Sequence, residues 1–238
     1  MKGIILAGGT GSRLLPLTKT TNKHLLPVYD KHMITYPLET LRKSGIRDIL
    51  IISGPGHAGQ FLELLSSGYD MGLDLKYAIQ EKALGIAHAL WVAKDFAQGE
   101  KIAVILGDNI FEDTMEDDIK NFKGGAKVFV KEVPNPQSFG IAEVKNGKIK
   151  NIVEKPKDPK SNLAVLGLYL YDEKVFDYID ELEYSNRNEL EITDLNNIYL
   201  KKGKLAFSEI KGYWLDAGSP EGLFKASRFI RGVKSNNE

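Results

Sequence analysis

The chain has 238 residues, 32 Lys and Arg against 32 Asp and Glu, and no cysteine. A chain of this length buries a sizeable core without disulfide or metal staples. The lack of cysteine excludes a disulfide framework, thiolate-bound zinc and thiol catalysis. Zero formal net charge argues against a dedicated nucleic-acid or membrane-surface binder, so neither is expected among its partners.

The opening Met1-Lys2-Gly3-Ile4-Ile5-Leu6-Ala7 breaks into Gly8-Gly9, too soon for a signal segment. No run approaches the ~18 apolar residues of a membrane span, and the expectation is a cytoplasmic protein. Ile4 to Ala7 reads as a buried strand. Ile34 to Lys43 has helical spacing and stops at Gly45. Asp48 to Ile52 is a β-branched run ended by Gly54-Pro55. A short helix over Ala58 to Leu65, a strand over Leu73 to Ile79, a helix over Ala87 to Phe96 and a strand over Lys101 to Leu106 follow. This alternation predicts a parallel sheet covered on both faces.

The pattern then changes to short strands at Lys127 to Val133, Ile141 to Val144 and Lys148 to Val153, the last two joined by the hairpin signal Asn146-Gly147. Ala164 to Tyr171 is a strand, Glu189 to Lys201 a helix, and Lys204 to Ile210 and Tyr213 to Leu215 short strands. A helix from about Pro220 to Arg231 and a polar tail close the chain. We read one unit over residues 1–238, with a nucleotide-binding half over 1–125 and a more antiparallel half over 126–238.

Five stretches carry chemistry. Leu6-Ala7-Gly8-Gly9-Thr10-Gly11-Ser12-Arg13 puts three glycines after a strand, where consecutive N–H groups can form an anion nest and Arg13 offers a planar fork for phosphate oxygens. It is neither a Walker A loop nor a G-x-G-x-x-G fingerprint, and a glycine loop alone serves equally as a tight turn. Lys23, in Asn22-Lys23-His24-Leu25-Leu26-Pro27, lies close enough in sequence to join it at a phosphate. Asp108, in Leu106-Gly107-Asp108-Asn109, stands at the carboxyl end of a strand, where open α/β sheets bind ligands. It is a hard oxygen donor suited to Mg²⁺, or else an Asx-turn residue. Glu154-Lys155-Pro156 offers a lysine for a sugar phosphate and a carboxylate for sugar hydroxyls. Asp216, after the apolar Trp214-Leu215, is a second carboxylate that could share a metal with Asp108.

Taken in order along the chain, these stretches resemble the sugar nucleotidyltransferases, and among them the glucose-1-phosphate thymidylyltransferases. Phe139-Gly140, Ala164-Val165-Leu166-Gly167-Leu168-Tyr169 and Arg187-Asn188-Glu189-Leu190-Glu191-Ile192-Thr193-Asp194 extend the resemblance from residue 3 to about residue 225. It implies a Rossmann-like three-layer α/β/α sandwich around a mixed, mostly parallel sheet. It further implies that Leu6, Gly8, Gly9, Thr10, Gly11, Arg13, Lys23 and Asp108 bind the nucleotide, with Gln80 and Gly85 reading a pyrimidine. Gly140, Glu154, Lys155, Val165 and Arg187 would line a sugar-phosphate site, and Asp108 and Asp216 would hold Mg²⁺. Arg13, Lys23, Lys155 and Asp108 would be catalytic.

The implied reaction is the joining of dTTP and glucose 1-phosphate, by in-line attack on the α-phosphate, to give dTDP-glucose and pyrophosphate. The attacking phosphate is already anionic, so positioning and charge neutralisation would carry the catalysis. The resemblance also allows a homo-oligomer. His24 and His88 stand where the family often has Gln, Ala83-Leu84 where it has Pro-Asp, Leu166 where it has Thr and Asn188 where it has Gly. Alternative readings are a UTP- or other nucleotide-dependent enzyme of the same fold, a non-catalytic nucleotide-sugar-binding regulator, and an NAD(P)-binding oxidoreductase.

Overall fold

The structure is a computed structural model and describes residues 1–235; the last three residues of the expected polar tail, 236–238, lie outside the described residues. Among the described residues thirteen strands are formed: β1 (Lys2–Ala7), β2 (Pro27–Val28), β3 (Lys31–His32), β4 (Asp48–Ser53), β5 (Asp74–Ile79), β6 (Ile102–Leu106), β7 (Asn109–Phe111), β8 (Ala126–Glu132), β9 (Gly140–Lys145), β10 (Lys148–Glu154), β11 (Leu163–Tyr171), β12 (Leu205–Glu209) and β13 (Trp214–Asp216). The helices are α1 (Thr35–Lys43), α2 (Ala58–Leu65), α3 (Ile86–Trp91), α4 (Lys94–Ala97), α5 (Glu116–Asn121), α6 (Val175–Asp180), α7 (Ile192–Lys201) and α8 (Pro220–Ser235).

β5, β4, β1 and β6 lie side by side in parallel, and β11 runs antiparallel to β6. β8 pairs β11 along the opposite edge, antiparallel, and β12 continues parallel to β8. β9 pairs antiparallel with β10 and touches β11 at Ala164. Relative to β1, therefore, β4, β5, β6, β8, β9 and β12 run the same way, and only β10 and β11 run against it. The sheet is mixed and mostly parallel, as expected from the sequence.

Alternation along the strands sends side chains to opposite faces. Ile4, Leu6, Leu50, Ile52, Ile102 and Val104 enter one apolar core, and Ile5, Ala7, Ile49, Ile51, Ala103 and Ile105 enter the other. Both faces of the parallel strands are thus covered. A third cluster, including Val28, Met33, Tyr36, Ile110, Ala217, Ala226 and Ile230, seats α8 against β2 and the two-stranded ribbon of β7 and β13.

Differences from the sequence reading have local causes. The expected helix over Ala87 to Phe96 is two, α3 and α4, separated at Val92–Ala93. The helix expected from Glu189 begins at Ile192, because Glu191 is extended (φ −82°, ψ 135°) and acts as its N-cap. α8 runs beyond Arg231 to Ser235. β2, β3, β7, α5 and α6 carry too few residues for their periodicity to stand out. The Asn146-Gly147 hairpin forms as expected, with both residues at positive φ (53° and 68°), the backbone that a tight antiparallel turn requires.

One feature of the sheet positions the site. β11 shares a single edge between β6, paired from Leu168 to Tyr171, and β9, paired at Ala164. Between these contacts the sheet forks, and the end of β6 opens into a cleft. Gly167 sits at the fork: its N–H donates to Asn109 Oδ1 (3.2 Å), and a Cβ there would lie 2.6 Å from Leu106 Cγ and 2.8 Å from Asn109 Oδ1. Gly167→Ala is therefore expected to cost about 1–3 kcal/mol through overpacking, with the melting temperature falling about 2–4 °C per kcal/mol in a chain of this size. A thermal melt checks this; an unchanged midpoint would show that the fork has slack.

Candidate active site

The glycine loop leaves β1 at Ala7, and the segment carrying Lys23 is tied back to it. Asn22 donates from Nδ2 to the Ala7 carbonyl (3.0 Å), which fixes its Oδ1 to accept from the His24 backbone N–H (2.9 Å) and to face His24 Nδ1 (2.7 Å). The His24 ring packs against Gly107, where a Cβ would come within 2.6 Å of Cδ2. Burial, with the nearby Lys23 charge adding to it, pushes this imidazole down to about 3, so it is neutral and carries its proton on Nδ1 toward Asn22. Lys23 stands between these two clamped residues, and its ammonium meets Asp108 Oδ2 at 2.5 Å.

Asp108 follows β6, and Asp216 ends β13. The β7–β13 ribbon pairs Asp216 with Asn109, so register alone brings the second carboxylate beside the first. The Ala217 N–H donates to the Asp108 carbonyl (2.9 Å), and the Gly218 N–H donates to Asp216 Oδ1 (2.8 Å). Gly218 marks the point of convergence: a Cβ there would lie 2.6 Å from Asp108 Oδ2, 3.0 Å from Asp216 Oδ1 and 3.0 Å from Arg13 Nη2. Asn109 holds the assembly together, donating to Asp108 Oδ1 (3.0 Å) and accepting from Trp214 Nε1 (2.8 Å) and the Gly167 N–H.

Burial pushes the Asp108 carboxyl up, but the Lys23 charge and the hydrogen bonds from Lys23 and Asn109 outweigh it and hold the group below the usual carboxylate range. Asp216 is raised, by burial first and then by the charge of Asp108. One carboxylate is thus ionised by a cation it already has, and the other is short of one. Among the described residues no group of three or more His, Cys, Asp or Glu gathers around a point. Two carboxylates are nevertheless what Mg²⁺ asks of a protein when substrate phosphates complete its shell. The donor set fits such an ion.

Across the cleft, β10 ends at Glu154 and Lys155. Lys155 adopts a left-handed backbone (φ 43°), uncommon for such a residue, and its N–H donates to the Phe139 carbonyl (3.0 Å). Its ammonium stays half-exposed, 3.6 Å from Glu154. Glu154 accepts from Thr193 Oγ1 (2.6 Å) and Arg187 Nη2 (3.4 Å). Arg187 forms a fork on Glu191, through Nε (3.1 Å) and Nη2 (2.8 Å). Gly140 lies opposite Glu154 in the β9–β10 register, with room for a Cβ only 3.1 Å from Thr193 Oγ1.

On the third side Gln80 is buried under Gly8, and Gly85 turns at φ 101° against the chain at Leu190, where any Cβ would lie 2.4 Å from the Leu190 carbonyl oxygen. The Leu190 N–H to Leu84 carbonyl bond (2.8 Å) and the Ala87 N–H to Leu190 carbonyl bond (3.1 Å) lock this turn.

A cavity of about 300 Å³ joins the three sides. It is lined by Leu6, Gly8, Gly9, Arg13, Lys23, Gln80, Gly85, Asp108, Glu154, Lys155 and Arg187 among the sequence-predicted residues. Thr10 is at the exposed tip of the loop, and Gly11 behind it accepts the Thr18 hydroxyl (2.9 Å). Gly140, Val165 and Asp216 border the site without lining this cavity: Val165 is on β11 just before the fork, paired with Val130. Sequence reasoning missed Asn22, Asn109, Gly218 and Glu191. Asp216-Ala217-Gly218 and Glu189-Leu190-Glu191 were the available signals, but nothing local in them says what they face.

The nucleotidyl transferase family model matches residues 2–232. A glucose-1-phosphate thymidylyltransferase of Xanthomonas campestris is 46% identical over 98% of this chain and 81% of its own length. A crystal structure of a candidate glucose-1-phosphate thymidylyltransferase from Bacillus anthracis, in complex with sucrose, superposes with a TM-score of 0.93 at 51% identity, over 97% of this chain and 95% of that one. A UDP-glucose pyrophosphorylase bound to UDP-glucose superposes with a TM-score of 0.86 at 28% identity, covering 98% of each chain. With a cleft of paired carboxylates and facing cations at the end of β6, and a family match that runs through nearly every element around it, the chain belongs to the nucleotidyl transferases.

Proposed function

We propose that the chain joins dTTP to glucose 1-phosphate, releasing pyrophosphate and leaving dTDP-glucose. The observation that carries this reading is the meeting of Asp108, Asp216 and Arg13 around Gly218, with Lys23 on Asp108, across one cavity from Lys155 and Arg187. Two cationic groups on each side suit two phosphorylated substrates. The relatives named above support the choice of substrates.

In this reading residues 1–125 form the nucleotide-binding half, and residues 126–238 form the sugar-phosphate half and lend Asp216 back to the first. The glycine loop and Arg13 hold the triphosphate, and Gln80 and Gly85 take the base. Lys155 and Arg187 hold the sugar phosphate, while Glu154 faces the sugar hydroxyls. The nucleophile is a phosphate oxygen of glucose 1-phosphate, already an anion, so no side chain has to remove a proton. It attacks the α-phosphorus in line; the new P–O bond forms as the bond to the β-phosphate bridging oxygen breaks, and the electron pair leaves with pyrophosphate. Arg13 and Lys23 offset the charge that grows on the leaving group. Asp108 and Asp216 would hold Mg²⁺, which when bound neutralises phosphate charge and draws the two reactants together. The reading places the enzyme in the cytoplasm, where nucleoside triphosphates are at hand.

Pyrophosphate release over a matrix of dTTP, UTP, CTP and GTP against several hexose 1-phosphates tests the pair. The dTTP and glucose 1-phosphate combination should give the highest kcat/KM. Turnover with none of them would remove the reading.

Two substitutions test the roles. Burial first, and then the charge of Asp108, raise Asp216 above the usual carboxylate range, so its ionised form costs stability that its protonated form does not. Asp216→Asn should leave the melting temperature unchanged or higher, while kcat falls by roughly 10²–10³. A near-wild-type rate at saturating Mg²⁺ would take Asp216 out of the metal site. Lys155→Ala should raise the KM for glucose 1-phosphate by about 10–100-fold, the worth of a charge-assisted hydrogen bond. A change confined to the KM for dTTP would place Lys155 on the wrong substrate.

A further inference from the structure

His88, on α3, stands outside the cavity lining, yet it touches the one side chain placed to read the base. Gln80 makes two hydrogen bonds through the same nitrogen: Nε2 donates to the Gly85 carbonyl (3.2 Å) and lies 3.0 Å from His88 Nδ1. The Gly85 carbonyl only accepts, so the amide is oriented with its NH₂ toward the wall. The second hydrogen of that NH₂ then points at His88 Nδ1, which must be the bare, accepting nitrogen of a neutral ring with its proton on Nε2. Burial lowers the His88 pKa and keeps the ring neutral near neutral pH.

With Nε2 committed on both hydrogens, Gln80 Oε1 is left facing the cavity. It lies 3.0 Å from where a Cβ on Gly8 would be, and Gly8 and Gln80 both line that space. No donor from the described residues reaches it. The base edge this oxygen suits is one that donates: N3–H of thymine or uracil. Cytosine presents a bare N3 there, lone pair against lone pair.

We propose that His88 is a specificity-positioning residue: by accepting from Gln80 Nε2 it holds the Gln80 amide with its oxygen toward the base, and so selects thymine or uracil over cytosine. This rests on the nucleotide reading above and adds to it a residue that touches no substrate. A Gln at this position, which the resemblance expects, would accept the same hydrogen through its side-chain oxygen. It does not separate thymine from uracil, whose N3 edges are the same.

The test compares kcat/KM for dTTP and dCTP in wild-type protein, His88→Gln and His88→Leu. His88→Leu keeps bulk but has no acceptor, so the amide loses one of its two anchors. The dTTP over dCTP ratio should fall by about five- to tenfold, the worth of one neutral hydrogen bond, with the KM for glucose 1-phosphate unchanged. His88→Gln should restore the ratio. A purely structural role would lower both nucleotides together, and an unchanged ratio in His88→Leu overturns the proposal. So does a loss of ratio in His88→Gln equal to that in His88→Leu. Thermal melts confirm that each variant is folded; if His88→Leu unfolds, His88→Met replaces it with the same expectation. A wild-type protein that turns over neither dTTP nor UTP fails the functional reading itself, an outcome distinct from an unchanged ratio.

Discussion

The ion pair of Lys23 with Asp108 is the contact around which the cleft is assembled. Its two side chains are largely out of water, with 15% and 10% of their surface exposed. Removing one partner of so buried a pair typically costs about 3–5 kcal/mol, because the other charge is left without compensation. Three connections keep the pair in place: Asn22 ties the lysine segment to β1, His24 presses that segment on Gly107, and Asn109 grips the far oxygen of Asp108. The lysine keeps Asp108 ionised within a buried setting.

The two walls of the cavity are built on different principles. One wall is mostly backbone: a glycine loop and the Gly85 turn clasped to Leu190. Shape there is set by main-chain hydrogen bonds and by the lack of side chains. The other wall is a charge network in which Arg187 is shared between Glu191 and Glu154, and Lys155 is nearly unengaged. An incoming phosphate can draw Lys155 at little cost but must compete with Glu191 for Arg187.

The places where the sequence departs from its relatives acquire physical reasons. Asn188, where the resemblance expects Gly, sits at φ 58°, the left-handed region that Asn tolerates better than most other side chains. Leu166 is fully buried in the core on the sheet face that carries Ile5 and Ala7, away from the cavity, so its identity bears on packing rather than on the sugar. His24 is a neutral wedge behind Lys23, and His88 is a neutral acceptor behind Gln80. Neither lines the cavity.

The sequence by itself determined the strand–helix alternation, the Asn146-Gly147 hairpin, the sheet covered on both faces and most of the cavity lining. The first three are encoded by short-range rules: alternation of apolar residues, glycine where the chain must turn sharply, and polar groups stationed at strand ends; much of the lining, Gln80, Gly85 and Arg187 among it, was legible only through the family resemblance. Tertiary structure decided the rest. Asp108 and Asp216 meet because a two-stranded ribbon too short to announce itself pairs Asn109 with Asp216. Glu191 reaches Arg187 because the chain is still extended at Glu191 and α7 starts only at Ile192. Gln80 presents its oxygen because Gly85 and His88 both claim its nitrogen. No local pattern carries such facts, since each depends on which distant segment comes to lie alongside, and that is settled by how the fork in the sheet and its two cores pack together.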